Sequence, residues 1–389
     1  MRELRIGLVG AGWMGKVHSM SYRTAQSAFG PEPAVPVLDA VMDSNQALAE
    51  RAQREYGYRR VVGDWRAIVE DRAIDVVDIC TPNDMHHEVA MAALAAGKHV
   101  YCEKPLANTS ALAREMADAA DTAGVTTIVG FNYIKNPVQG LAKQLLEEKA
   151  IGTVEYLRLY FNSDFMADRN LPHTWRNDIR RAGSGVVGDI GAHLLSYHYY
   201  LIGQEIDEVF CMLDTVVPAH PAPVAAGGFQ LDAAGDRERM IENTTDDVAT
   251  VLFRFGGARG HIETSRISTG IRFNIGYDIV GSTGTLRYSY DRINDLYIYR
   301  EEGPAPLRGF KRVEMGPSDP AYAAFLPVSG LGLGYNDFKA MEARDFLVAA
   351  ATGRPAYPDF RWAYRIQRVV DACVLSNAER RWVGVGELE

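Results

Sequence analysis

Five short apolar runs, rich in β-branched residues, punctuate the first 130 residues: 4–9, 37–42, 76–80, 99–102 and 126–129. Stretches of helical character lie between them, at 14–28, 45–56, 87–96 and 110–123. Continuous apolar runs of this length suit strands buried on both faces. Strand–helix alternation then demands right-handed crossovers, which builds a doubly wound parallel sheet. The punctuation agrees. Gly97 and Gly124 close helices, and Thr109-Ser110 caps one.

The texture changes after residue 130. A helix is expected over 138–149, ending at Gly152, and strand-like runs follow at 154–161, 249–255, 260–266, 273–280, 284–290 and 295–300. Several alternate apolar and polar residues between Gly-rich turns, the pattern of an open, mainly antiparallel sheet. Helices are expected at 184–201, 337–351 and 363–379, and loops at 218–235 and 303–330. The expected fold class is α/β: an N-terminal doubly wound parallel-sheet unit over 1–130, and an α+β unit with an open, mainly antiparallel sheet over 131–389. The cleft between the two is the expected site.

Bulk numbers narrow the function. A chain of 389 residues is long enough for two cores, and 47% apolar with 23% charged residues is ordinary for a globular protein. A net charge of −9 argues against nucleic acid as a partner. No apolar stretch reaches the roughly 18 residues of a membrane helix, and no leader-like segment opens the chain, so a cytoplasmic protein is expected. Cys80, Cys102, Cys211 and Cys373 are too dispersed for a disulfide framework or a zinc site.

Gly10-Ala11-Gly12-Trp13-Met14-Gly15 joins the first strand to the first helix. The first glycine permits the tight turn, the second admits the pyrophosphate, and the third allows close helix–strand packing; the phosphates then sit on the helix N-terminus around Trp13 and Met14. Asp43, with Ser44 beside it, ends the second strand, where a carboxylate binds the adenosine ribose hydroxyls and disfavours NADP. Its late position reflects the Pro-rich insert at 30–36. Its alternative role is to start the next helix. Thr81-Pro82-Asn83 follows the third apolar run at the ligand-binding end of the sheet, with His86 facing the cofactor and His87 on the surface. Two adjacent histidines diverge on a helix, so no metal is expected.

Glu103-Lys104-Pro105 follows the fourth run. Lys104 there reaches the nicotinamide end, where it can bind the reacting oxygen, with Glu103 as its candidate partner. In Gly188-Asp189-Ile190-Gly191-Ala192-His193, a continuous helix would place Asp189 and His193 on one face. An imidazole oriented by a carboxylate can then take a hydroxyl proton as hydride leaves the same carbon. Asn132, after the fifth run, joins the cofactor set. Tyr133, Trp175, Arg176 and Asn336 are substrate candidates. Trp175 offers a flat face to a sugar ring, and Arg176 a charge for an anionic group; Arg180 and Arg181 read as a solvated loop or a subunit contact.

Taken in order, these motifs resemble the glucose–fructose oxidoreductase / inositol dehydrogenase (Gfo/Idh/MocA) family along essentially the whole chain. Residues 15–19, 64–66 and 333–337 are similar to its levoglucosan dehydrogenase-like subgroup of bacterial sugar dehydrogenases. The resemblance implies a nicotinamide cofactor, no metal, and oxidation of a secondary hydroxyl of a sugar, anhydrosugar or cyclitol. Lys104, Asp189 and His193 would form the catalytic set. It also implies a homodimer or homotetramer built through the sheet of the second unit. The aromatic run 197–200 departs from the pattern.

Three readings stand at this point. The first is an NAD-dependent dehydrogenase of a neutral carbohydrate. The second is a glycosidase that retains NAD, acts on an acidic or sulfonated glycoside, and uses Tyr133 or one of Tyr197, Tyr199 and Tyr200 as its carbon base. The third is a dinucleotide sensor, which needs neither Lys104 nor His193.

Overall fold

The computed structural model describes residues 2–31, 33–224 and 235–388. The first part runs β1 (Arg2–Val9), α1 (Trp13–Phe29), β2 (Ala34–Met42), α2 (Gln46–Tyr56), β3 (Arg60–Val61), α3 (Arg66–Val69), β4 (Val76–Ile79), α4 (His86–Ala95), β5 (His99–Cys102), α5 (Ser110–Ala123) and β6 (Thr127–Val129). The strands are all parallel, in the order β3-β2-β1-β4-β5-β6. The order reverses between β1 and β4, which opens a crevice at their carboxyl ends. Thr109 accepts the Leu112 N–H at the start of α5, and Gly124 ends that helix in the left-handed conformation. The two-residue β3 is too short to leave a periodic signal.

The second part runs α6 (Pro137–Glu147), β7 (Val154–Ser163), α7 (Ile179–Ala182), α8 (Val186–Asp189), α9 (Gly191–Leu201), β8 (Glu208–Asp214), β9 (Ala219–Pro223), β10 (Gly235–Glu242), β11 (Val248–Phe255) and β12 (Ala258–Ser265). Then come β13 (Phe273–Gly281), β14 (Gly284–Ser289), β15 (Asp295–Arg300), β16 (Lys311–Glu314), α10 (Pro320–Ala323), α11 (Tyr335–Thr352), α12 (Phe360–Glu379) and β17 (Val383–Gly384). Nine of these strands form one sheet, β16-β15-β14-β13-β7-β12-β11-β8-β17, antiparallel except for the β7–β12 pair. In β11, Ala249, Val251, Phe253 and Phe255 are buried while Thr250, Leu252 and Arg254 face out, so one side of the sheet packs and the other is open.

Three expectations change. The helix expected over 184–201 breaks at Ile190 into α8 and α9. The expected loop at 303–330 contains β16 and α10. The loop at 218–235 holds β9 and the start of β10, and its residues 225–234 lie outside the described residues.

Late segments return to the first sheet. Ala343, Phe346, Leu347 and Ala350 of α11 join Leu4, Ile6, Leu8, Val76 and Ile128 in one core. Burying Phe346 alone contributes on the order of 2 kcal/mol. Asp371 of α12 accepts the Ser110 N–H at the start of α5. The C-terminal helices thus hold the sheets around a common cleft. No helix among the described residues is long and apolar enough to cross a membrane.

Candidate active site

The cleft has a volume of about 1790 Å³ and runs from the β1–α1 turn, past Lys104, to α9. Gly10 has φ +99°, and a Cβ there would lie 2.6 Å from the Cys80 carbonyl oxygen, so only glycine fits. A Cβ at Gly15 would overlap the Gly10 carbonyl. At Gly12 a Cβ would meet nothing within 4 Å: the space above this residue is open, at the N-terminus of α1. A tight turn beneath open space at a helix N-terminus fits a pyrophosphate. Further along the cleft, Thr81 Oγ1 and Asn132 Nδ2 are buried without a partner among the described residues, so a bound dinucleotide can satisfy them.

Asp43 and Ser44 line the far end with Trp13 and Met14. Asp43 accepts the Ala11 N–H (2.7 Å) through Oδ2 and the Asn45 N–H (2.8 Å) through Oδ1. The cap of α2 is Asn45, which accepts the Ala47 N–H. Asp43 therefore ties the glycine loop to the end of β2.

Two cofactor candidates have other work. Pro82 and Asn83 line the cleft, but the Asn83 amide donates to the Ala182 carbonyl (2.9 Å), bridging to α7. The His86 ring is buried between the Pro105 and Thr81 carbonyls, at 2.9 and 3.0 Å, and is not among the cleft-lining residues. It joins the turns after β4 and β5 instead of facing the cofactor.

Lys104 and Asp189 meet across the cleft. The ammonium donates to the Asp189 carboxylate (2.9 Å) and to its backbone carbonyl. Arg176 approaches the second carboxylate oxygen, Nε to Oδ2 3.6 Å. Burial would raise the Asp189 carboxyl, but Lys104 and Arg176 outweigh it and hold the group well below the usual range. Glu103 does not partner the Lys104 ammonium as expected. Its Oε2 accepts the Lys104 backbone N–H (3.2 Å), while Oε1 accepts from His18 Nε2 (2.9 Å) and Lys339 Nζ (2.5 Å).

The break at Ile190 separates Asp189 from the helix of His193, and the Asp189 carboxylate turns to Lys104 and Arg176 rather than to the imidazole. His193 is wedged edge-on against Tyr133, with ring centroids 4.7 Å apart, and its Nδ1 has no partner among the described residues. Burial and the neighbouring Lys104 push its pKa well below the usual value, against the opposing pull of Glu103 and Asp189. A neutral imidazole beside a cleft is equipped to accept a proton. Asp246 holds the preceding turn by accepting the Gly185 (2.8 Å) and Val187 (3.1 Å) N–H groups.

Among the substrate candidates, Tyr133, Trp175 and Arg176 line the cleft. The Arg176 guanidinium stacks on the Trp175 ring at 4.2 Å, covering one face of the expected platform. Asn336 is exposed on the first turn of α11 and does not line the cleft; its neighbour Tyr335 does, stacked on Trp13 with centroids 5.8 Å apart. The motifs also left out Phe161, Ser163, His173 and Phe273. These lie on strands and loops whose local pattern reports only that they are strands and loops.

The chain's likeness to known proteins matches this geometry. Residues 4–131 match the GFO_IDH_MocA oxidoreductase family with its NAD-binding Rossmann fold, and residues 141–287 match the GFO/IDH/MocA C-terminal domain. Levoglucosan dehydrogenase of Pseudarthrobacter phenanthrenivorans is 37% identical over 389 residues, covering 100% of both chains. A solved levoglucosan dehydrogenase in complex with NADH and levoglucosan superposes with a TM-score of 0.92 at 37% identity, covering 99% of this chain and 100% of that one. An NAD binding oxidoreductase from Klebsiella pneumoniae gives 0.89 at 42% identity, covering 99% of each chain.

Proposed function

The chain belongs to the GFO/IDH/MocA oxidoreductase family, and on that premise we propose that it is a dehydrogenase of a neutral sugar ring, with an anhydrosugar of the levoglucosan type as the first candidate. It is an NAD-dependent enzyme that oxidises a secondary hydroxyl of a carbohydrate. The observation that carries the finer reading is the Lys104–Asp189 contact across the cleft, beside the open glycine turn and a neutral His193. NAD, when bound, supplies the hydride acceptor. Gly10, Gly12, Gly15, Trp13 and Met14 seat its phosphates, Asp43 and Ser44 its adenosine ribose, and Thr81 and Asn132 its nicotinamide half. Lys104 donates to the reacting oxygen. His193 takes the hydroxyl proton on the ring nitrogen that faces the cleft. Asp189 holds Lys104 in place and keeps a charged partner at the site. Tyr133, Trp175 and Arg176 surround the sugar.

A neutral substrate is supported by the relative that is a levoglucosan dehydrogenase and by the arginines at the rim, where Arg181 pairs with Asp84 (3.0 Å) and Arg180 with Asp178 (2.8 Å), while Arg176 shares the Asp189 carboxylate with Lys104. The glycosidase reading loses its carbon base, because burial holds the phenols of Tyr133, Tyr197, Tyr199 and Tyr200 above their ordinary pKa. Residues 1–130 then form the cofactor unit, completed by α11, and 131–389 the substrate unit. The open face of the nine-stranded sheet is where a homodimer or homotetramer would assemble, and the cytoplasm is the compartment that suits its free thiols.

The test is NADH absorbance with NAD and a panel of levoglucosan, myo-inositol, glucose and acidic glycosides, with release of free sugar followed in parallel. Stoichiometric NADH from a neutral sugar is the expected result. Sugar release without net NADH, or turnover confined to acidic glycosides, overturns the reading.

A further inference from the structure

Behind Lys104 lies a buried charge cluster that the reaction as described does not use. His18 on α1 bonds Asp78 of β4 (2.8 Å) through Nδ1 and Glu103 (2.9 Å) through Nε2. Lys339, from the second turn of α11, bonds Glu103 (2.5 Å) and Glu342 (3.0 Å), and Tyr101 donates to Glu342. Tyr22 donates to Asp78 (2.9 Å). His18, Asp78 and Glu342 have no exposed surface, and Lys339 has 1%. Residue 339 lies beyond both matched family segments, which end at residues 131 and 287.

Stability alone does not account for such a cluster. Taking charges out of water costs several kcal/mol per ion, and well-packed apolar residues of similar volume are often as stable or more so. What this cluster does have is a product: it fixes one carboxylate, Glu103, from two sides. With Oε1 held by Lys339 and His18, Oε2 is left pointing at the Lys104 N–H. The carboxylate is also pressed against Gly130, where no Cβ would fit. The turn that aims the Lys104 ammonium is therefore clamped by a cation contributed from 236 residues away.

We propose that Lys339 is a positioning residue for the reaction: it locks Glu103, and through Glu103 the backbone of Lys104, so that hydride transfer is efficient only while α11 is docked on the first sheet. This rests on the proposed role of Lys104. Geometric misplacement of about 1 Å at a reacting group costs on the order of 10²-fold in rate, so loss of the clamp should be read mainly in kcat.

Two variants test it: Lys339→Met, and Lys339→Met/Glu342→Gln, which keeps the net charge of the cluster unchanged and so preserves the fold if charge imbalance is the obstacle. With the neutral sugar that the wild type oxidises, kcat is expected to fall at least tenfold, while KM and the NADH dissociation constant (by fluorescence) stay within about threefold. In a Lys104→Met background the same change should cost little more, because the two residues act as a unit. An equal loss in both backgrounds, or wild-type kcat in the folded double variant, overturns the proposal. A readout free of turnover accompanies these: reductive methylation by formaldehyde and dimethylamine–borane, mapped by mass spectrometry. Lys104 should be labelled several-fold faster in the variants, with exposed Lys16 and Lys149 unchanged. Unchanged Lys104 labelling refutes the clamp whatever the enzyme oxidises, whereas a wild type that oxidises no sugar refutes only the proposed function.

Discussion

The imidazole of His18 gives a quantitative handle on the cluster behind Lys104. Burial, the largest single influence, disfavours its charged form, and Lys339 repels it; Asp78 and the hydrogen bonds to Asp78 and Glu103 outweigh both and raise the pKa from 6.5 to about 9. A pKa raised in the folded state stabilises the protein fully below the unfolded value of 6.5, and that stability is lost as pH rises through about 9. Raising the pH from about 6.5 to about 9.5 should therefore remove about 3 kcal/mol, from 1.36 kcal/mol per pKa unit. Lys339 does not titrate in this window, because Glu103 and Glu342 hold its ammonium far above it despite burial. The assay is urea unfolding followed by tryptophan fluorescence at the two pH values, for the wild type and for His18→Gln, which keeps most of the volume without the titrating charge. The wild type should lose about 3 kcal/mol more than the variant on going alkaline. Parallel losses in the two proteins would refute the assignment of a charged, buried His18.

Four further outcomes are expected. Lys104→Met and His193→Ala should each lower turnover by about 10² to 10⁴, with NADH binding nearly intact; wild-type turnover in either removes the site assignment. Gly12→Ala, whose Cβ enters open space, should keep the melting temperature but weaken NADH binding, while Gly15→Ala should lower the melting temperature because its Cβ overlaps the Gly10 carbonyl; the reverse pattern would misplace the phosphate cradle. Asp43→Ala should narrow the preference for NAD over NADP and destabilise by about 1–3 kcal/mol, since the Ala11 and Asn45 N–H groups lose their acceptor; an unchanged cofactor ratio rejects the ribose role. Because burial and Lys104 depress His193, the base stays neutral down to and below pH 6.5, so kcat/KM should not fall between about pH 8 and 6.5; an acid limb centred near 6.5 would contradict a buried, cation-flanked imidazole.

The features readable from the chain were those that act over a few residues. The alternation of apolar runs and helices, the Gly10–Gly15 turn, the Thr109 cap and the left-handed Gly124 follow from periodicity and backbone sterics, and the first sheet formed where the pattern placed it. Lys104 at the end of β5 was legible because ligands gather at the carboxyl ends of such sheets. The second sheet was legible in outline through its alternating strands, but the shortest strands, β3 of the first sheet and β17 of the second, carried too few residues for a period.

Which charge meets which was settled elsewhere. Asp189 and His193 share a helical spacing, yet the break at Ile190 hands the carboxylate to Lys104, 85 residues away, and to Arg176. Glu103 sits beside Lys104 in the chain, yet its carboxylate answers to His18 and Lys339. His86 and Asn83 occupy cofactor-like positions but are spent on carbonyls of neighbouring turns. Local periodicity decides where strands and helices form, because the hydrogen bonds and rotamers involved lie within a turn or two. Ionic pairing inside a cleft is decided by desolvation: each buried charge takes the best-placed partner that packing brings within reach, and packing is a property of the assembled sheets and of α11 folding back on the first of them.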